Sequence, residues 1–178
     1  MYTRIADKLK ELGADDVRIV PVSSMHFNRK LASLCQKDIC GRYGKSYNCP
    51  PYIGLTETLI AEAQKYSFAI VFQTIDKIYG FADFGHIEKA EVRMCNLTKS
   101  VNLYLEELNL GYKLIAANCC KRCSPCRKIQ GEECLFPNEI FPSVAAYAVD
   151  IEKLANNCNM YISWDGKTVS YFSIVLVK

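Results

Sequence analysis

Three thiols, Cys120, Cys123 and Cys126, recur at every third residue, and Cys134 follows after a gap of seven residues. A loop with that spacing can wrap several sulfurs around one small inorganic object. A second group lies far upstream: Cys35, Cys40 and Cys49, the last followed by Pro50 and Pro51. Seven of the ten cysteines thus fall into two tight groups, which points to a soft metal and above all to iron–sulfur chemistry. Thiolates suit iron–sulfur clusters and zinc, and suit magnesium or calcium poorly.

The downstream repeat Cys120-x2-Cys123-x2-Cys126 resembles the first part of bacterial ferredoxin loops, where a distal fourth cysteine is followed by proline. Here Pro137 follows Cys134 after two intervening residues. One loop then supplies all four thiolates of a 4Fe–4S cubane, although Cys134 could instead serve a second cluster. Zinc is the rival metal, but paired Cys-x-x-Cys knuckles suit its closed tetrahedral shell better than three cysteines at successive three-residue steps. Cys119 stands next to Cys120 and is read as a small buried hydrophobe, with either residue able to act as the ligand. A thioredoxin-like redox pair at Cys123 and Cys126 would leave the other cysteines unexplained.

The upstream group has three cysteines. Three thiolates on a four-iron cluster leave one iron open, and an open metal position is where a substrate binds. The alternatives are a fourth ligand from Cys95, Cys158 or a non-cysteine side chain, a zinc site, or a structural staple. Cys95 and Cys158 otherwise read as core residues, with Cys95 the better reserve ligand. Between Cys40 and Cys49, Arg42 and Lys45 are the candidates for binding an anionic ligand or cofactor, and Tyr43 or Tyr47 could line a pocket or donate a proton. The plainer reading is loop structure. Gly44-Lys45-Ser46 is no phosphate-binding loop, because it lacks the earlier glycine and the following helix. His26 and His86 read as ordinary polar residues, and no residue is assigned a catalytic role.

Lys121, Arg122, Arg127 and Lys128 crowd the downstream loop. Cations there would raise the potential of an anionic cluster and help dock an acidic redox partner protein. A net charge of +3 and four cations without interleaved aromatics give no reason to expect nucleic acid. No run is long enough for a bilayer, and the charged N-terminus is not a secretory signal. The expected location is therefore cytoplasmic, where thiols stay reduced and available to metal. The expected partners are a redox protein and a small-molecule substrate, without nucleic acid or membrane.

A scaffold must bring these loops together. The 178 residues, half of them hydrophobic, suit one domain over residues 1–178. Spacing predicts helices over 3–12, 27–34, 56–65, 87–108 and 143–156, with Thr56 and Ser143 as N-caps. Strands are predicted over 16–20, 67–74 and 112–117. A C-terminal β-hairpin is predicted from 161–164 through Asp165-Gly166 to 168–177. The expected class is α/β in the α+β sense: a mixed sheet flanked by helices, with two cysteine-rich metal-binding loops.

The segment Cys40-Gly-Arg-Tyr-Gly-Lys-Ser-Tyr-Asn-Cys49-Pro-Pro, the downstream cysteines and the later Pro-Ser-x-x-Ala-Tyr-Ala-Val-Asp together resemble a family of cysteine-rich predicted metal-binding proteins of unknown function, common in anaerobic bacteria and archaea. The resemblance covers about residues 20–160. It implies metal, most simply iron–sulfur, and implies no known reaction. The family pattern carries an arginine before the Pro-Ser pair, where this chain has Phe141. The expected function is electron transfer or small-substrate reduction by one or two 4Fe–4S clusters, and the alternative is a zinc-binding structural or partner-binding module.

Overall fold

The computed structural model describes residues 1–117 and 120–178. Helix α1 (Tyr2–Glu11) buries Ile5, Ala6 and Leu9 along one stripe, and Lys8 and Lys10 in its last turn complement the helix dipole. It leads into β1 (Asp16–Pro21), which pairs antiparallel with β2 (Phe68–Lys77) in a register that sets Val17 opposite Phe72. On its other side β2 pairs antiparallel with β4 (Thr168–Val177) along its whole length, and β4 pairs antiparallel with β3 (Tyr112–Ile115). The strand order is β1-β2-β4-β3.

The two central strands are apolar on both faces because both faces are covered. Ile70 and Phe72 of β2 pack with Ile5 and Leu9 of α1 and with Met94, Val101 and Leu105 of α4 (Phe84–Glu107). Ala69 and Val71 point the other way, into a core with Leu59 and Ala63 of α3 (Thr56–Ala63), Leu154 of α5 (Ile151–Asn157) and the fully buried Tyr147. Helix α2 (Arg29–Gln36) buries none of its side chains and is capped by Asn28, whose side-chain oxygen accepts from the Lys30 N–H. No helix of the described residues is long and apolar enough to cross a membrane.

The class is α+β, with strand pairing antiparallel throughout rather than mixed; a parallel bridge joins Ala116 to Ser143 outside the strands. Two segments depart from the pattern read in the sequence. The segment 143–150 is a run of turns: Ser143 Oγ does accept from the Ala146 N–H, but Ala148 adopts φ 52° and Val149 bridges to Phe27. Burial of Tyr147 and that bridge outweigh local helix propensity, so α5 starts later, with Asp150 accepting from the Lys153 N–H as its cap. Residues 161–164 meet β4 through the Trp164–Val169 bridge and through bonds from Ser163 to Thr168 and Ser170, too few to make a strand, so the C-terminal hairpin is vestigial and β4 takes β2 and β3 as its partners. Leu55, not Thr56, is the N-cap of α3.

Candidate metal centre

The downstream loop springs from the end of β3. Its root is pinned to the sheet: the Ala116 N–H donates to Pro142 O (2.8 Å) and the Ala117 N–H to Ser173 Oγ (2.9 Å), while Ser173 Oγ lies 3.2 Å from Thr98 Oγ1 of α4. Beyond this root, Cys120, Cys123, Cys126 and Cys134 all border one pocket, closed on its far side by Ser46, Tyr47 and Asn48 of the upstream loop. A 3-10 turn over Arg127–Gln130 ends at Gly131, whose φ of 72° suits a residue without a Cβ and reverses the chain toward Cys134. The Arg122 N–H donates to Cys120 Sγ and the Phe136 N–H to Cys134 Sγ, each at 3.4 Å. Such bonds favour sulfur in its charged, ligating form. In the protein alone, burial is the first influence on the Cys120 thiol and pushes its pKa up.

The upstream group encloses a separate chamber of about 290 Å³, bordered by Cys35, Cys40 and Cys49. Helix α2 delivers Cys35 at its last turn, where Sγ lies 3.8 Å from Ala145 O. Asp38 then organises the connecting turn: it accepts from the Tyr43 N–H (2.8 Å) and from Lys45 Nζ (2.7 Å). The lysine bond, followed by the Tyr43 N–H, holds the Asp38 carboxyl below its usual pKa. Lys45 is therefore engaged by Asp38, whereas Arg42 borders the chamber. Cys49 is buried and Cys40 exposed.

The two cysteine groups share a wall. Lys121, next to Cys120, borders the upstream chamber and forms an ion pair with Glu91 of α4, which borders it too. A groove on the same side joins Arg42 and Lys45 of one loop to Cys120, Cys123 and Cys126 of the other. The loops are also clasped directly. Tyr47 Oη donates to Glu132 O, the Ser143 N–H donates to Asn48 O (3.3 Å), and Lys128 Nζ lies 5.2 Å and 4.9 Å from the ring centres of Tyr47 and Tyr52.

The remaining candidates separate by position. Cys95 of α4 borders a small void with Cys120 and Lys99, on the downstream side rather than in the upstream chamber. Burial first, then the neighbouring Cys120, pushes its thiol up to about 11. Cys158 packs in the core on the α3/α5 face of the sheet, away from both groups. Cys119 lies outside the described residues. His26 sits 3.1 Å from Lys153 Nζ and His86 2.9 Å from Asp83, and neither borders the cysteine pockets. Phe141, at the position where an arginine was expected, lines the void beside Cys95.

The loop cations are less available than their sequence suggests. Arg122 packs 3.9 Å from the Phe136 ring centre and pairs with Glu139 (3.2 Å), and Arg127 pairs with Glu132 (2.7 Å). They brace the loop from within. Sequence reasoning missed Asn48, Glu91 and Phe136 as neighbours of the sulfurs, since no spacing rule ties an aromatic or an amide to a distant loop. Tyr47 does line a pocket, the downstream one, and its hydroxyl donates to the Glu132 carbonyl.

Among the described residues no three Cys, His, Asp or Glu side chains converge on the position of a single ion; the sulfurs stand around voids. The donor set, four thiols in one place and three in another, fits a thiolate-held group. No match to the chain was found among curated proteins or among solved structures. Residues 18–177 match the family model described as predicted metal-binding protein (DUF2284). With nearly the whole chain inside that match, and two groups of thiols gathered around neighbouring cavities, the chain belongs to this family of predicted metal-binding proteins.

Proposed function

We propose that this chain is an iron–sulfur protein that carries electrons, with Cys120, Cys123, Cys126 and Cys134 holding a 4Fe–4S cluster and Cys35, Cys40 and Cys49 holding a second. The observation that carries the reading is that Cys120, Cys123, Cys126 and Cys134 border one pocket and Cys35, Cys40 and Cys49 border another. Three cysteines at successive three-residue steps, with a fourth thiol on the same pocket, suit a 4Fe–4S cluster better than the paired Cys-x-x-Cys knuckles of a zinc site. A bound cluster would accept and release single electrons, and one held by only three thiolates would leave an iron open to a small substrate.

The chain's own residues do the rest. Backbone N–H groups of Arg122 and Phe136 donate to ligand sulfurs, which stabilises the charged thiolates and raises the potential of whatever they hold. Tyr47 borders the downstream pocket and is held there by Lys128, which also lies over the Tyr52 ring, so the two loops are fastened beside the four sulfurs. The shared wall at Lys121 keeps the two sites close, so electrons delivered by a redox partner protein to one could reach the other. The setting is a reducing cytoplasm.

The test is metal analysis of protein purified without oxygen. The expected result is brown protein, with absorbance near about 400 nm and roughly eight irons and eight sulfides per chain. Colourless protein with stoichiometric zinc would replace this reading with that of a zinc module.

A further inference from the structure

The upstream chamber has an asymmetric charge pattern. Of the three cations at its edge and in the adjoining groove, Lys45 is bound to Asp38 at 2.7 Å and Lys121 to Glu91. Arg42 borders both the chamber and the groove, is partly buried, and makes no ion pair among the described residues. A guanidinium facing a cavity presents a planar fork of donors that matches a carboxylate in two bonds. With Lys121 and Glu91 committed to each other, Arg42 is the one uncommitted cation of the chamber among the described residues, a match for one negative charge. Tyr43, on the chamber wall, adds a neutral hydroxyl. The volume, about 290 Å³ before any metal group is accommodated, admits only a small molecule.

We infer that the upstream chamber binds a small monocarboxylate through Arg42, with Lys45 serving to hold the loop. The inference rests on the reading of this chamber as a metal site, because a carboxylate held by Arg42 would lie beside the three thiols.

The experiment is calorimetric titration of anaerobically purified, metal-loaded protein with acetate, inorganic phosphate and acetamide, on wild type and on R42Q, R42K and K45Q, with metal content measured on every sample. Acetate is expected to bind at one site per chain, phosphate more weakly, and acetamide not at all. R42Q is expected to weaken acetate about tenfold or more, as loss of a charge-assisted pair does. R42K should recover part of this and K45Q should stay within a few-fold of wild type. Absence of acetate binding in the wild type, equal binding in R42Q, tighter binding of phosphate, or loss of metal from R42Q would each overturn the inference. If the protein carries zinc instead of iron while acetate binding still depends on Arg42, the iron–sulfur reading falls and the carboxylate site stands.

Discussion

The phenol of Tyr47 donates a hydrogen bond to the main-chain carbonyl of Glu132, 85 residues further along the chain. The same ring meets Tyr52 edge-on at 4.6 Å and lies under the ammonium of Lys128. Loop meets loop through a side chain of one and the backbone of the other, and the four downstream sulfurs lie behind that closure. Replacing Tyr47 with Phe removes the bond to Glu132 but keeps the ring, at a cost of about 1 kcal/mol. Y47A removes the cation–aromatic contact as well. Iron release to a chelator should be faster in Y47F than in wild type and faster again in Y47A. Equal rates in all three would show that the loops are held by other contacts.

Ligand assignment separates Cys123 from Cys95. Cys123 borders the four-sulfur pocket, while Cys95 sits in the neighbouring void with its thiol held protonated by burial. C123A should lose about half of the iron together with thermal stability, because metal binding and folding of its loop are coupled. C95A should keep its iron and lose about 1 kcal/mol of stability. If iron fell by half in C95A, the ligand set would have to include it.

What could be read in advance followed from local rules. The stripe of Ile5 and Leu9 and the unbroken apolar run through Ile70 and Phe72 act over a few residues, and each pointed to the right kind of element, while the cysteine spacing grouped thiols that border common pockets. The segment around Tyr147 did not, because what decides it is distant. Tyr147 is buried against α3, and Val149 is drawn into a bridge with Phe27. Likewise, spacing could group Lys121, Arg122 and Arg127 as a basic loop. It could not show that Glu91, Glu139 and Glu132 neutralise them. Arg42 and Lys45 look equivalent in sequence and differ only because Asp38 folds back onto one of them.

Tyr147 gives a prediction in pH. Its hydroxyl donates to Glu62 Oε2 at 2.9 Å, and Glu62 also pairs with Lys113 of β3 at 3.1 Å. Burial first, then the Glu62 carboxylate, pushes the phenol's pKa up. The folded state thus keeps a proton that the unfolded chain gives up near the ordinary value of about 10. The stabilisation is complete below that value and declines as pH rises above it. Denaturant midpoints should fall more steeply above about pH 10 in wild type than in Y147F. At neutral pH Y147F should be less stable by about 1 kcal/mol. Parallel alkaline limbs would mean that another group governs the decline.

Removing the metal should loosen the loops without unfolding the sheet. Small metal-held modules unfold when stripped because they have no other core. Here β2 and β4 are buried on both faces by α1, α4, α3 and α5, and those contacts involve none of the seven proposed ligand sulfurs except through the roots of their loops. The downstream loop, by contrast, buries no residue in its 3-10 turn and is braced by surface ion pairs, each worth about 1 kcal/mol or less. The stripped protein should therefore retain its far-ultraviolet circular dichroism and slow amide exchange in β2 and β4. Amides over 35–54 and 120–136 should exchange much faster than in the loaded protein. Because the root bonds at Ala116 and Ala117 belong to the sheet side, exchange there should change least. Global loss of protection on chelation would make the metal, rather than the two-faced sheet, the core of the fold.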